Sequence, residues 1–140
     1  MALSDEQLAL IRTSFKALRD DPQPRSIAFY EALFQHAPNL RDMFREDLAG
    51  QGMRFMSTLA AIVDNLHTPG AMADRYTDLG NGHRALGVRA GDFAPMGQAL
   101  MDTLEATLSA RFTDDTRAAW EAVYAEFSRE IIERGGIPAD

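Results

Sequence analysis

Cysteine is absent from the 140 residues, which removes disulfide frameworks, thiolate metal sites, iron–sulfur clusters and cysteine nucleophiles together. Long apolar runs are missing too. The longest, Leu59-Ala60-Ala61-Ile62-Val63, falls far short of the roughly 20 residues a membrane-spanning helix needs. Basic side chains are scarce, 14 Lys and Arg against 21 Asp and Glu, for a net charge of −7. Such a surface repels phosphate backbones and anionic lipid, so neither nucleic acid nor membrane is an expected partner. The first residues, Met1 to Gln7, carry early acids and no basic segment leading into an apolar run, which is not a secretory signal. A cytoplasmic protein is expected. No phosphate-binding glycine loop, no histidine pair on one helical turn and no glycine-flanked serine elbow is found.

What is present suits one globular domain over residues 1–140, with 46% hydrophobic and 25% charged residues. At that length no second catalytic or cofactor-binding domain is expected. Ser4 with Gln7 forms a capping box ahead of Leu8, Ile11, Phe15 and Leu18 at helical spacing. A second helix starts near Pro24 and carries Ile27, Tyr30, Leu33 and Phe34 on one side; Pro38 opens a short third with Leu40, Met43 and Phe44. After the corner Arg45-Glu46-Asp47, helical steps run through Leu48, Gln51, Phe55, Leu59, Ile62 and Leu66. The stretch from Ala71 to Leu86 contains Gly80-Asn81-Gly82, which predicts an irregular or loose region. A long helix follows from about Asp92 to Arg111, and a last one, capped by Thr113, ends at Gly135-Gly136. No strand-type alternation occurs. The reading is all-α, with about seven or eight helices.

Several candidate constellations have blander explanations. The acidic pairs Asp20-Asp21 and Asp114-Asp115 sit at helix ends, where capping accounts for them. Arg41, Arg45 and Arg54 form either an anion site or scattered solvated charge. The seven methionines fall mostly at core spacing and read as filler rather than as a metal box.

The order and spacing of several segments resemble the globin family across essentially the whole chain. Phe29-Tyr30-Glu31-Ala32-Leu33-Phe34, followed by Pro38-Asn39-Leu40-Arg41-Asp42-Met43-Phe44, looks like the family's second helix and corner. Gln51 to Leu59 is similar to the distal helix, and Leu79 to Val88 to the proximal segment around the iron-binding histidine. From Leu79 to Tyr124 the text resembles neuroglobin-like globins, whereas the pair Tyr30 and Gln51 resembles flavohaemoglobins and single-domain bacterial haemoglobins.

The resemblance implies a globin fold around a haem b pocket, with His83 as the axial metal ligand. Read without its flanks, His83 is more simply a surface or capped histidine. Phe44 is implied as a flat face for the porphyrin and Phe55 as the distal roof. Leu59, Leu79, Leu86, Val88 and Phe93 line the pocket or simply pack the core. Arg54 either reaches a haem propionate or is an ordinary exposed arginine. His36 and His67 read as solvent-facing. Tyr30 and Gln51 are implied as hydrogen-bond donors over bound O₂; alternatively Tyr30 is a core tyrosine and Gln51 an exposed helix residue. Phe44 and Gln51 are seven positions apart, a shorter corner than in the globins compared.

Two departures from the family patterns matter. Neuroglobin-like proteins carry a histidine where Gln51 stands, so an iron open to ligand is expected here. Flavohaemoglobins support the proximal histidine with a tyrosine and a glutamate, and the matching positions hold Phe93 and Gly135, with Glu130 and Glu133 nearby. Strong peroxidase-like chemistry is therefore not implied. The expected function is reversible binding of O₂ or another diatomic gas such as NO or CO, with slow release. The alternative is conversion of nitric oxide to nitrate with electrons from a separate reductase.

Overall fold

The computed structural model describes residues 3–44 and 48–139. Met1 and Ala2, the corner Arg45-Glu46-Asp47 and Asp140 lie outside them, so the shape of the short corner and the place of Arg45 in the basic cluster are not described. The architecture is all-α. Among the described residues six α-helices follow one another: α1 (Asp5–Arg19), α2 (Pro22–His36), α3 (Leu48–Asp64), α4 (Ala73–Ala85), α5 (Phe93–Leu108) and α6 (Asp114–Gly135). Counting the six-residue 3-10 helix Pro38–Met43, which is the short third helix expected from Pro38, gives seven.

The helix ends are written in the sequence. The Ser4 hydroxyl accepts from the Gln7 backbone N–H, and the Gln7 side chain accepts in return from that of Ser4. Thr113 caps α6 through the Thr116 N–H, and Gly136, at φ 61, closes it in the left-handed region that glycine enters without strain. Both Pro22 and Pro24 stand in the first turn of α2, where no N–H is required, so the helix begins slightly earlier than expected.

The apolar stripes of α1, α2, α3, α5 and α6 meet in one core. Trp120 of α6 is its largest fully buried side chain. Its indole N–H donates to Ser14 Oγ on α1 at 2.7 Å, and the Ser14 hydroxyl donates in turn to the Leu10 carbonyl at 2.6 Å. Both polar groups of this buried pair are thereby satisfied. Ile27 is a correction: expected on the inner side of α2, it is 40% exposed, because the face centred on Tyr30 and Leu33 turns it away.

A second correction concerns Gly80-Asn81-Gly82. The chain there is continuous helix from Ala73 to Ala85. The reason is tertiary. A Cβ on Gly80 would lie 2.5 Å from both Gly135 Cα and the Ile131 carbonyl oxygen, so α4 and α6 cross backbone to backbone through a glycine pair. The packing gained by that approach outweighs the weak helix propensity of glycine. Gly80→Ala should therefore destabilise the fold by about 1–3 kcal/mol, because the obstructing atoms are main chain and cannot rotate away. Gly82→Ala, where nothing lies within 4 Å, should instead gain up to about 1 kcal/mol from helix propensity. Urea unfolding of the two variants checks the contrast.

Candidate functional site

One cavity of about 750 Å³ opens between α2, α3, α4, α5 and α6. Its walls come from helical stripes. On α3 the lining residues are Gln51, Arg54, Phe55, Thr58, Leu59 and Ile62, spaced by three and four. On α4 they are Arg75, Asp78, Leu79, Gly82 and His83, at the same spacing, with Leu86 just beyond the helix end. Two amphipathic helices thus face each other across the opening. From α2 come Phe29, Tyr30 and Leu33, and the deep end is closed by Leu100 of α5 and by Phe127 and Ile131 of α6.

The aromatic wall is tightly knit. Phe55 stacks on Phe29 with ring centres 4.2 Å apart, and Phe44 lies 5.1 Å from Tyr30 and 5.6 Å from Phe34. The α2–α3 crossing is close enough that a Cβ on Gly52 would meet Ser26 Oγ at 2.7 Å and the Tyr30 ring at 3.6 Å. Gly52 therefore sets how far Tyr30 stands from α3.

Tyr30 is 4% exposed, and burial pushes its phenol up to about 12, while the neighbouring Gln51 amide and the Arg54 guanidinium pull the other way. It is a neutral O–H donor throughout the physiological range. Arg54 donates from Nη2 to Gln51 Oε1 at 2.8 Å.

His83 faces the same cavity from α4. Its Nδ1 lies 2.6 Å from the Leu79 carbonyl oxygen, one turn back on the helix. A carbonyl only accepts, so Nδ1 carries the proton and Nε2 of the neutral ring keeps its lone pair. The ring sits 5.8 Å from that of Phe93. Gly87, at φ 88, turns the chain beyond α4 so that Val88 returns to the cavity wall and is buried, whereas Leu86 stays 57% exposed at the edge.

Every residue singled out in the sequence for this site lines the cavity: Tyr30, Phe44, Gln51, Arg54, Phe55, Leu59, Leu79, His83, Leu86, Val88 and Phe93. The other two histidines are elsewhere. His36 pairs with Asp102 at 2.6 Å, and His67 meets Arg12. The basic cluster is divided, Arg41 lying over the Phe34 ring while Arg54 holds Gln51. On the proximal side, Glu130 pairs with Arg134 at 2.7 Å and Glu133 with Arg129 at 3.2 Å, so neither is turned to His83. Gly135 is spent on the crossing with Gly80.

Sequence reasoning missed Arg75, Asp78 and Tyr124. Arg75 was within reach, since two steps of four back from His83, through Leu79, land on it, and Asp78 lies three residues beyond Arg75. Tyr124 had no such signal. It lies across Gly97 and donates its hydroxyl to the Phe93 carbonyl at 2.6 Å, and burial holds its phenol well above the usual range.

A family model described as Globin matches residues 27–131. The chain belongs to the globin family. It is 27% identical to a protein named neuroglobin-1 from Oncorhynchus mykiss, across 99% of this globin and 98% of that protein. It is 25% identical to a flavohemoprotein from Bordetella pertussis over 94% of its own length, but spans only 34% of that longer relative. Among solved structures, a hexacoordinated heme protein from an anhydrobiotic tardigrade superposes with a TM-score of 0.87 over 96% of both chains, at 15% identity. That likeness shows the fold. Among the described residues no helix is long and apolar enough to cross a membrane.

Proposed function

We propose that this globin holds a haem b through His83 and reversibly binds O₂, with release slowed by Tyr30. The observation that carries the reading is the 2.6 Å contact of His83 Nδ1 with the Leu79 carbonyl, which engages that nitrogen as donor and leaves Nε2 free on a side chain that lines a 750 Å³ cavity. The donor set supports a haem rather than a bare ion. Among the described residues no group of three or more His, Asp or Glu could hold a metal, so the remaining ligands have to arrive with the cofactor. The size fits as well. A diatomic gas alone needs a small fraction of this volume, and an apolar cavity left empty costs the surrounding side chains their contacts.

A haem held by His83 would supply an iron able to bind a diatomic gas reversibly, with partial negative charge on the oxygens of O₂. The chain does the rest. Phe44 and Phe55 exclude water, and Leu79, Val88 and Phe93 provide the apolar wall around His83. Arg54 and Arg75, both exposed, offer positive charge to carboxylates at the rim. The buried phenol of Tyr30 donates toward the gas. No other histidine reaches the cavity, which supports a sixth position left to ligand.

The reading differs from a nitric oxide-consuming enzyme on the proximal side. There the imidazole meets a backbone carbonyl and a phenylalanine rather than a carboxylate, so nothing makes it strongly electron-donating. Absorption spectra of the purified protein, ferric, ferrous and O₂-exposed, test the proposal. A Soret band that shifts on reduction and again, reversibly, on exposure to O₂ is the expected result. A protein that takes up no haem would sink it.

A further inference from the structure

Tyr124 of α6 reaches across to α5 and donates its hydroxyl to the Phe93 carbonyl at 2.6 Å. Phe93 is the first residue of α5, and in a regular helix its carbonyl also accepts from the Gly97 N–H, so the phenol takes the second lone pair. Gly97 admits the ring: a Cβ there would lie 2.8 Å from Tyr124 Cε2 and 3.1 Å from Cδ2. The turn so held has no side-chain cap, because the Asp92 carboxylate accepts from the Arg89 N–H rather than from α5. From this turn the buried Phe93 side chain packs against His83, with ring centres 5.8 Å apart. The 2.6 Å bond from His83 Nδ1 to the Leu79 carbonyl fixes one ring atom and leaves the ring plane free to tilt about it. A second contact has to choose the tilt, and the Phe93 ring is in place to do so.

We propose that Tyr124 is a positioning residue for the iron ligand: by bonding the Phe93 carbonyl it pins the first turn of α5, and through the Phe93 ring it fixes the tilt at which His83 presents Nε2 to the cavity. Tyr124 lines the same cavity, but its hydroxyl proton is committed to main chain, so it is not a donor to a bound ligand. Gly97 belongs to the same device, since a side chain there pushes the phenol off its carbonyl. The inference rests on the reading of His83 as the residue that holds a haem iron.

Two measurements test it on Tyr124→Phe and Gly97→Ala, with Ser14→Ala as the comparison. Ser14→Ala also loses a buried side-chain bond, the one from Trp120, but away from the cavity. The first measurement needs no cofactor: the imidazole resonances of the ¹⁵N-histidine-labelled protein without added haem. The chain has 3 histidines, so His36 and His67 serve as internal references. The His83 signals should shift in Tyr124→Phe and Gly97→Ala and stay in place in Ser14→Ala. The second uses the ferrous, haem-loaded protein and reads the iron–imidazole stretching band by resonance Raman, together with the rate of haem loss. Tyr124→Phe and Gly97→Ala should move the band and speed the loss about twofold to tenfold, the range one ordinary hydrogen bond spans. Ser14→Ala should change neither. Unmoved His83 signals in Tyr124→Phe would overturn the proposal, as would equal shifts in Ser14→Ala, which would mark a general loosening of the core. A band present in the unsubstituted protein and unmoved in Tyr124→Phe overturns this proposal alone. If the band persisted in His83→Ala, the reading of His83 would fall, and this proposal with it.

Discussion

His83→Ala should yield a protein that folds but retains no haem through purification. The substitution removes the one imidazole on the cavity wall and leaves the apolar contacts of Phe44, Phe55, Val88 and Phe93 in place. Those contacts are non-directional and hold a flat apolar group only loosely, whereas a nitrogen ligand to iron fixes one atom of it. His83 is half-buried and its ring hydrogen bond is local to α4, so the core around Trp120 is untouched and the helix content should persist. Free imidazole added to the variant fits the space vacated by the side chain and should restore the Soret band. His36→Ala serves as the comparison, because that histidine pairs with Asp102 away from the cavity and its loss should leave the spectrum unchanged. A His83→Ala protein with an unaltered spectrum would assign the iron to some other side chain.

The second large effect concerns Tyr30→Phe. The phenol is buried and, with its pKa raised to about 12, neutral, so its proton is available across the physiological pH range. A bond from it to the partly negative oxygens of O₂ is charge-assisted and contributes about 1.5–3 kcal/mol, which corresponds to a tenfold to hundredfold faster release once it is removed. Phenylalanine keeps the ring, and with it the packing against Phe29, Phe44 and Phe55, so the cavity should hold its shape. Carbon monoxide carries less charge on its oxygen and should respond far less. Stopped-flow release of the two gases from the same variant separates a lost hydrogen bond from a reshaped pocket: only the first discriminates between them.

These two side chains were both legible in the sequence, and for the same reason. Each lies in a run whose order and spacing resemble a family pattern, and helical periodicity carries that register forward: Gln51 to Arg54, Phe55 and Leu59 on α3, Leu79 to His83 on α4. The caps were equally plain, since Ser4 with Gln7, Thr113 and Gly136 act on backbone groups within a few residues of themselves. Tyr124 was not. Its place in the cavity depends on Gly97, on a different helix and distant in sequence, and no local pattern announces such a contact. Arg54 was visible as a residue but its partner was not, because whether an exposed arginine reaches outward or back along its own helix is a question of side-chain packing.

The sequence by itself pointed to the class of chemistry, and it did so through the run around His83, which resembles a family segment that holds iron, rather than through composition. The lack of cysteine excluded only thiolate sites. It also indicated the helices, their caps and most of the faces they bury, with Ile27 and the start of α2 as exceptions, because these follow from interactions within one or two turns. Tertiary structure decided the rest. The clearest case is Gly80-Asn81-Gly82, where poor helix propensity predicts a loose segment and the chain is regular helix. Propensity is worth at most about 1 kcal/mol per residue, and the backbone contact between Gly80 and Gly135 brings two whole helices together. That contact carries α4 against α6 and sets where His83 stands. A local rule gives way whenever a glycine does its work for a neighbour far away in the chain.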